Sequence, residues 1–244
     1  MEKSRALLAI LFLCCVSVSP LGASDADDAQ LAKRCPEFMA WQSAHPEFSN
    51  KVELQRLKTR PPTKPKLRAQ LLRMVKADQS VRDAWIKVGM TTGPASQDAI
   101  KNLQAVDAAN LKKFKPIILR QGFPGPAQVG VDGVEAAFLL VQHADRDPAF
   151  QSRVLPQLAA LHKRGLISGQ DLGLLTDRTL RARDKPQRYG TQYRSDNAHP
   201  EMRMQPVEDI ASLDARRASM GMPPVKAYAC VLSVMYHKPV VTEP

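Results

Sequence analysis

Three polar words sit inside apolar stretches of this chain. Gln142-His143-Ala144-Asp145 closes an apolar run, and Thr176-Asp177-Arg178 lies among leucines. Gln187-Arg188-Tyr189-Gly190-Thr191-Gln192-Tyr193 follows shortly after. Polar groups in such places are costly unless they bond to one another or to a ligand. The chemistry they offer is acid–base chemistry. His143 would move the proton, Asp177 would orient it, and Arg178 or Gln192 would hold an anionic or carbonyl group. Gln142, Asp145, Gln187, Tyr189 and Thr191 add donors and acceptors suited to a small polar or anionic ligand.

Each of these residues also has a structural use. A buried histidine can bond to a carboxylate or a helix-end carbonyl. Asp177 can lock two helices, with Arg178, His143 or Arg188 as partner. The Tyr189–Gln192 word can be a bulged strand that satisfies nearby helix ends. His143-x-Asp145-x-Asp147 has mixed ligand types, but no second His-rich or Asp-rich word completes a metal site. Asp147 before Pro148 is also an N-cap. Neither a metal nor a cofactor is expected. The nucleophile elbow, the phosphate-binding loop and the dinucleotide fingerprint do not occur.

The elements that must position these residues are mainly helical. Leu67, Leu71, Met74 and Val75 recur at helical spacing, and Val81, Trp85 and Val88 continue after an expected break. A second long helix spans Ile100 to Ile118, with Pro116 expected to kink or restart it, and Gly122 caps it. Val134 to Val141 reads as a central buried helix. Asp147-Pro148 opens the next helix, and Ser168-Gly169-Gln170-Asp171 opens the one carrying Asp177. Past Pro186 the period drops to two, which predicts a strand with Gln187, Tyr189, Thr191 and Tyr193 on one face. Met202 and Met204 lie on its return. The expected fold class is therefore mainly α, a multi-helix domain with a small β-hairpin near residues 187–205. Another helix holds Ile210 to Met220, and Val225 to Tyr236 is a last apolar helix or strand.

The N-terminus reads as an export signal. Lys3 and Arg5 precede an uncharged apolar run from Ala6 to Val18, and Gly22, Ala23 and Ser24 follow at a cleavage point. That run is too short to span a bilayer, which takes roughly 20 residues. The expected location is periplasmic or secreted, with no membrane span in the mature chain. Cleavage removes Cys14 and Cys15 and leaves Cys35 and Cys230. In an oxidising compartment these either pair, tying the N-terminal segment to the last helix, or stay as two buried thiols.

The expected organisation is a signal at residues 1–23, an N-terminal helical segment at 24–60 and a proline-rich basic linker at 61–65. A helical domain at 66–236 and a tail at 237–244 follow. The formal net charge of the whole chain is +11, and losing Lys3, Arg5 and Glu2 with the signal leaves +10. Between Lys51 and Arg73, eight basic residues face Glu53 alone, a local excess of +7. Such a stretch attracts an anionic envelope surface or serves as a solvated linker. Nucleic acid is disfavoured by the export signal and by an aromatic content of 5%, too low for stacking platforms.

The polar words, taken in order, resemble one known family. Gln142-His143-Ala144-Asp145, Asp147-Pro148-Ala149-Phe150-Gln151, Leu175-Thr176-Asp177-Arg178, Gln187 to Gln192, and Arg216-Arg217 before Gly221 follow its pattern. This is the bacterial family named domain of unknown function 6624. The resemblance runs from Lys66 to Tyr228 and is strongest from Val134 to Gln192. It implies a shared architecture and a shared site, and it names no substrate. The reading is an exported helical binding or structural module with an interior polar cluster. The alternatives are a hydrolase or lyase using His143 and Asp177, and an envelope-associated protein using its basic stretch.

Overall fold

A computed structural model of the protein describes residues 25–45, 61–89, 93–195 and 201–243. The expected signal and residues 51–60 of the basic stretch lie outside the described residues, as do residues 196–200. Nine α-helices occur among the described residues: α1 Asp25–Arg34, α2 Pro36–Ala44, α3 Pro65–Lys87, α4 Pro94–Gln121, α5 Pro126–Gln142, α6 Pro148–Lys163, α7 Gly169–Arg181, α8 Leu213–Ser219 and α9 Val225–Tyr236. A small sheet joins β1 Tyr193–Arg194, β2 Met202–Met204 and β3 Val240–Val241. The domain is mainly α, as its periodicity predicts.

Proline starts most of the long helices. α2, α3, α4, α5 and α6 each carry proline in the first turn, where its missing N–H has no helical partner to lose. Side-chain caps add to this. Asp147 accepts from the Phe150 N–H at 2.9 Å, and Ser168 Oγ accepts from the Asp171 N–H at 3.0 Å. α3 runs unbroken through the position where a break was expected. α4 likewise continues across Pro116 to Gln121 without restarting. Leu103, Phe114, Ile117 and Ile118 bury one side of α4, and that packing outweighs the one helical bond the proline removes.

α5 is the centre of the fold. Val129, Val134, Ala136, Ala137, Phe138, Leu140 and Val141 are all buried, and the helix touches α3, α4, α6 and α7. The main core continues through Leu71 of α3, Phe114 of α4, Val154 and Leu158 of α6, Leu174 and Leu175 of α7, and Tyr228 and Leu232 of α9. A second apolar cluster joins Leu31, Cys35 and Phe38 to Ala227, Val231 and Val234. Cys35 and Cys230 are bridged there, with Cα atoms 5.7 Å apart.

The strand reading needs one correction. β1 pairs antiparallel with β2, Tyr193 opposite Met204, but residues 187–192 are not a regular strand. Gly190 has φ 64°, in the left-handed region, and turns the chain there. The tail also contributes, since β3 pairs parallel with β2, Met202 opposite Val240.

α7 meets the end of α8 almost backbone to backbone. A Cβ at Gly169 would lie 1.7 Å from the Met220 carbonyl oxygen. Gly169→Ala is therefore expected to cost about 2–3 kcal/mol in urea denaturation, by overpacking against main chain that cannot swing aside. Gly125→Ala, with nothing within 4 Å of the added carbon, is the matched control. Equal midpoints for the two variants would refute this account.

Candidate functional site

The loop with the most ligand-like sequence already holds an anion, and the anion is Asp177. This carboxylate projects from the buried face of α7. Its Oδ1 accepts from the Arg188 and Tyr189 N–H groups at 2.7 and 3.0 Å. Its Oδ2 accepts from the Thr191 N–H at 3.0 Å and the Thr191 hydroxyl at 2.9 Å. Main-chain donors so close in sequence converge on one carboxylate only if the chain leaves the β conformation, where they alternate in direction. Burial pushes the Asp177 carboxyl above its ordinary value, and the bonds from Tyr189, Arg188 and Thr191 oppose that rise.

Arg217 holds the same loop from the other side. It is fully buried, donates from Nη1 to the Tyr189 carbonyl at 2.5 Å and from Nε to the Pro223 carbonyl at 2.6 Å. Its guanidinium carbon lies 4.9 Å from the centre of the Tyr228 ring. Gln187 closes the loop internally. Its Nε2 donates to the Gln192 and Gln205 carbonyls at 3.0 and 2.7 Å, and its Oε1 accepts from the Gln192 N–H at 2.7 Å. The Gln192 side chain donates to Thr191 Oγ1 at 3.0 Å.

The word at residues 142–145 ends α5. Gln151 Nε2 donates to the Val141 and Gln142 carbonyls at 3.1 and 3.0 Å, satisfying acceptors that a helix end leaves open. Asp145 reaches the surface and accepts from Arg178 Nη1 at 2.5 Å, although Arg178 itself is buried. Gln142, Asp145 and Arg178 thus bind the end of α5 to α6 and α7. Tyr189 is half-buried, and Gln142, Gln187, Thr191 and Gln192 are buried.

The carboxylate at the His143 ring is Asp78, where the sequence reading had placed Asp177. His143 Nδ1 lies 2.8 Å from both Asp78 oxygens, so this nitrogen carries the proton and donates it. Asp78 also accepts from Arg82 at 2.8 Å and from Gln79 at 2.7 Å. The same Arg82 Nη1 donates to Asp107 Oδ1 at 3.0 Å, and Nη2 donates to Asp107 Oδ2 at 3.1 Å. Asp78 and His143 are 0% and 4% exposed, so this is an interior cluster at the junction of α3, α4 and α5. Burial would raise the Asp78 carboxyl, but His143, Arg82 and Gln79 together hold it below the ordinary carboxylate value. Burial prevails at Asp107, which is raised despite Arg82.

Asp78, Arg82 and Asp107 were missed in the sequence. Their signal was a carboxylate in an apolar stripe: Asp78 follows Met74 by four residues and precedes Trp85 by seven, and both are buried. Asp78, Asp107 and His143 bring three ligand atoms within 4.8 Å of one another. Arg82 already bridges the two carboxylates, so a metal ion there would have to displace a guanidinium. Elsewhere, α4 and the turn before α6 flank an open, shallow cleft of about 340 Å³. Ala108, Leu111 and Pro116 line it beside Lys112, Lys115 and Arg146, and Lys115 is paired with Asp147. In the described part of the basic stretch, Lys64 bonds to Gln121 and Arg68 to Asp132.

A family model described as Family of unknown function (DUF6624) matches residues 65–240. No curated protein and no solved structure gives a significant match.

Two outcomes test this geometry. Asp177→Asn replaces an acceptor of four bonds by a group that turns an NH2 toward donors. It is expected to cost about 3–5 kcal/mol in chemical denaturation; a loss within experimental error would show that the loop holds itself. The second is a pH profile. Asp78 titrates lower folded than unfolded, so the unfolded chain binds more protons as pH falls past about 4. Its stabilisation is full above that pH and is lost as pH drops through the folded value. The melting temperature should rise more steeply between about pH 2 and 5 in the parent than in Asp78→Asn. Parallel profiles would contradict the assignment.

Proposed function

The chain belongs to the Family of unknown function (DUF6624), and from that premise we propose that it is a binding or structural module whose interior polar words hold its own chain together. The observation that carries this reading is the saturation of Asp177 by Arg188, Tyr189 and Thr191. The groups that would have received an anionic ligand receive a carboxylate of the protein itself. A small polar or anionic ligand is then met at the surface. At the open cleft beside Pro116, where Lys115 is paired with Asp147, Lys112 and Arg146 supply the positive charge for it. Export fits the Cys35–Cys230 bridge, since disulfides persist in oxidising compartments. Among the described residues no helix is long and apolar enough to cross a membrane.

A second reading, acid–base catalysis, is favoured by one observation, the bond from His143 Nδ1 to Asp78. A carboxylate there fixes the tautomer and makes Nε2 the nitrogen that exchanges protons with a substrate. In that reading Asp78, not Asp177, is the orienting group.

His143→Ala and His143→Gln separate the two readings. The material is recovered from outside the cytoplasm, and an uncleaved chain found only inside would count against export. The module reading expects both variants to melt lower, with hydrolysis of a panel of chromogenic esters, phosphoesters and glycosides at background in the parent and variants alike. It also expects inorganic phosphate to raise the melting temperature of the parent but not of Lys112→Ala/Arg146→Ala. Hydrolysis by the parent that both histidine variants lose while still folded would replace it with catalysis. Absence of any phosphate effect would remove the anion-binding half.

A further inference from the structure

α9 is apolar on two faces, and the two faces meet different partners. Tyr228, Leu232 and Tyr236 turn into the main core. Ala227, Val231 and Val234, spaced four and three residues apart, turn outward onto Leu31, Cys35 and Phe38 of the N-terminal helices. α1 and α2 pack on each other and on α9. Their apolar contacts form a cluster separate from the main core. The family match begins at residue 65, so it includes α9 and leaves out the helices that cover it. A disulfide, Cys35–Cys230, also crosses this boundary and joins positions 195 residues apart.

We propose that α1–α2 is a redox-sensitive strap over the outer face of α9, closed while Cys35 and Cys230 are bridged and released when a dithiol reduces them. Cys35 is 2% exposed and Cys230 is half-buried, so the attacking thiolate reaches the Cys230 sulfur. The S–S bond breaks, a mixed disulfide forms on Cys230, and Cys35 leaves as a thiolate. The second thiolate of the reductant then displaces Cys230. The reductant departs as a cyclic disulfide, two electrons poorer, and Cys35 and Cys230 each take up one proton. What then holds the strap is a small cluster, Leu31 and Phe38 against Ala227, Val231 and Val234, flanked by Met39, Trp41 and Met235. The buried residues of the main core all lie outside α1 and α2. Release therefore uncovers the outer face of α9 without unfolding the domain beneath it.

Hydrogen exchange with peptide mass analysis tests this on the whole chain, air-oxidised and then treated with dithiothreitol. Alkylation mapped to Cys35 and Cys230 reports the state of the bridge. On reduction, exchange in residues 30–45 is expected to rise by at least about tenfold, while peptides from 65–87 and 126–142 keep their protection. A hydrophobic dye should bind more strongly at the same time. Cys35→Ser/Cys230→Ser should show the open pattern without reductant. Unchanged protection of 30–45 after reduction would overturn the strap. So would loss of protection spreading equally to 65–87, which would make the bridge a staple for the whole fold. Free thiols at both positions in air-oxidised protein would overturn it as well.

Discussion

The structure depends on how the loop at 187–192 satisfies its main chain away from water. Gln187 and Gln192 at its ends bond to main chain at 205–208, but Gly190 turns the chain, so the residues between them do not pair along a strand. Asp177 takes the N–H groups of Arg188, Tyr189 and Thr191, and Arg217 takes the Tyr189 carbonyl. A carboxylate and a guanidinium, both deeply buried, thus face each other's charge through the peptide groups between them. Either alone would carry a desolvation cost of several kcal/mol. Together, each compensates part of the other's cost. α7 supplies the acid and α8 the base, so the loop also fixes where these two helices stand. The close approach of Gly169 to Met220 lies at that junction.

The second polar cluster performs the same task at the junction of α3, α4 and α5. α3 supplies Asp78 and Arg82, α4 supplies Asp107, and the C-terminal cap of α5 supplies His143. Apolar faces such as those of α3 and α5 can slide by a turn at small cost, because one leucine fits roughly where another did. Buried charges cannot slide, since one step out of register leaves an ion unpaired. The contribution of these clusters is therefore to choose one arrangement among several apolar ones. Gln151, on the end carbonyls of α5, fixes the length of the central helix in the same way.

Much of this was legible in the sequence, for reasons specific to each element. The helices were plain where an apolar stripe met a proline or a capping residue, as at Asp147-Pro148 and Ser168. The burial of Gln142, His143, Asp177 and Arg178 followed from their apolar neighbours. Their partners did not follow, because pairing is set by three-dimensional contact. Asp78 lies 65 residues from His143 and gave no word of its own, only a charge at an apolar position. Residues 187–192 were misread as strand because alternation of side chains was visible, while the convergence of N–H groups on Asp177 was not. Pro116 was expected to kink or restart α4, and the helix does not restart there, because a buried face on both sides of the proline carries it through.

What distinguishes a lock from a reactive centre in such a protein is whether its groups can change bonding without the fold changing. Asp177 cannot do so: its four donors are mostly main chain, and main chain does not move alone. Arg217 is held by two carbonyls and a ring, and a guanidinium stays charged at any physiological pH. In the Asp78 cluster, Arg82 and the two carboxylates are bound to one another in the same fixed manner. His143 differs, because imidazole is the one group in either cluster that ordinarily exchanges a proton near neutrality. Its Nδ1–H is fixed on Asp78, so any such exchange takes place at Nε2 and changes the charge balance of the whole cluster. Among the groups of the two clusters, His143 is therefore the one whose ordinary chemistry suits proton transfer. In the loop that looked most like a ligand site, the N–H groups of Arg188, Tyr189 and Thr191 are already taken by Asp177.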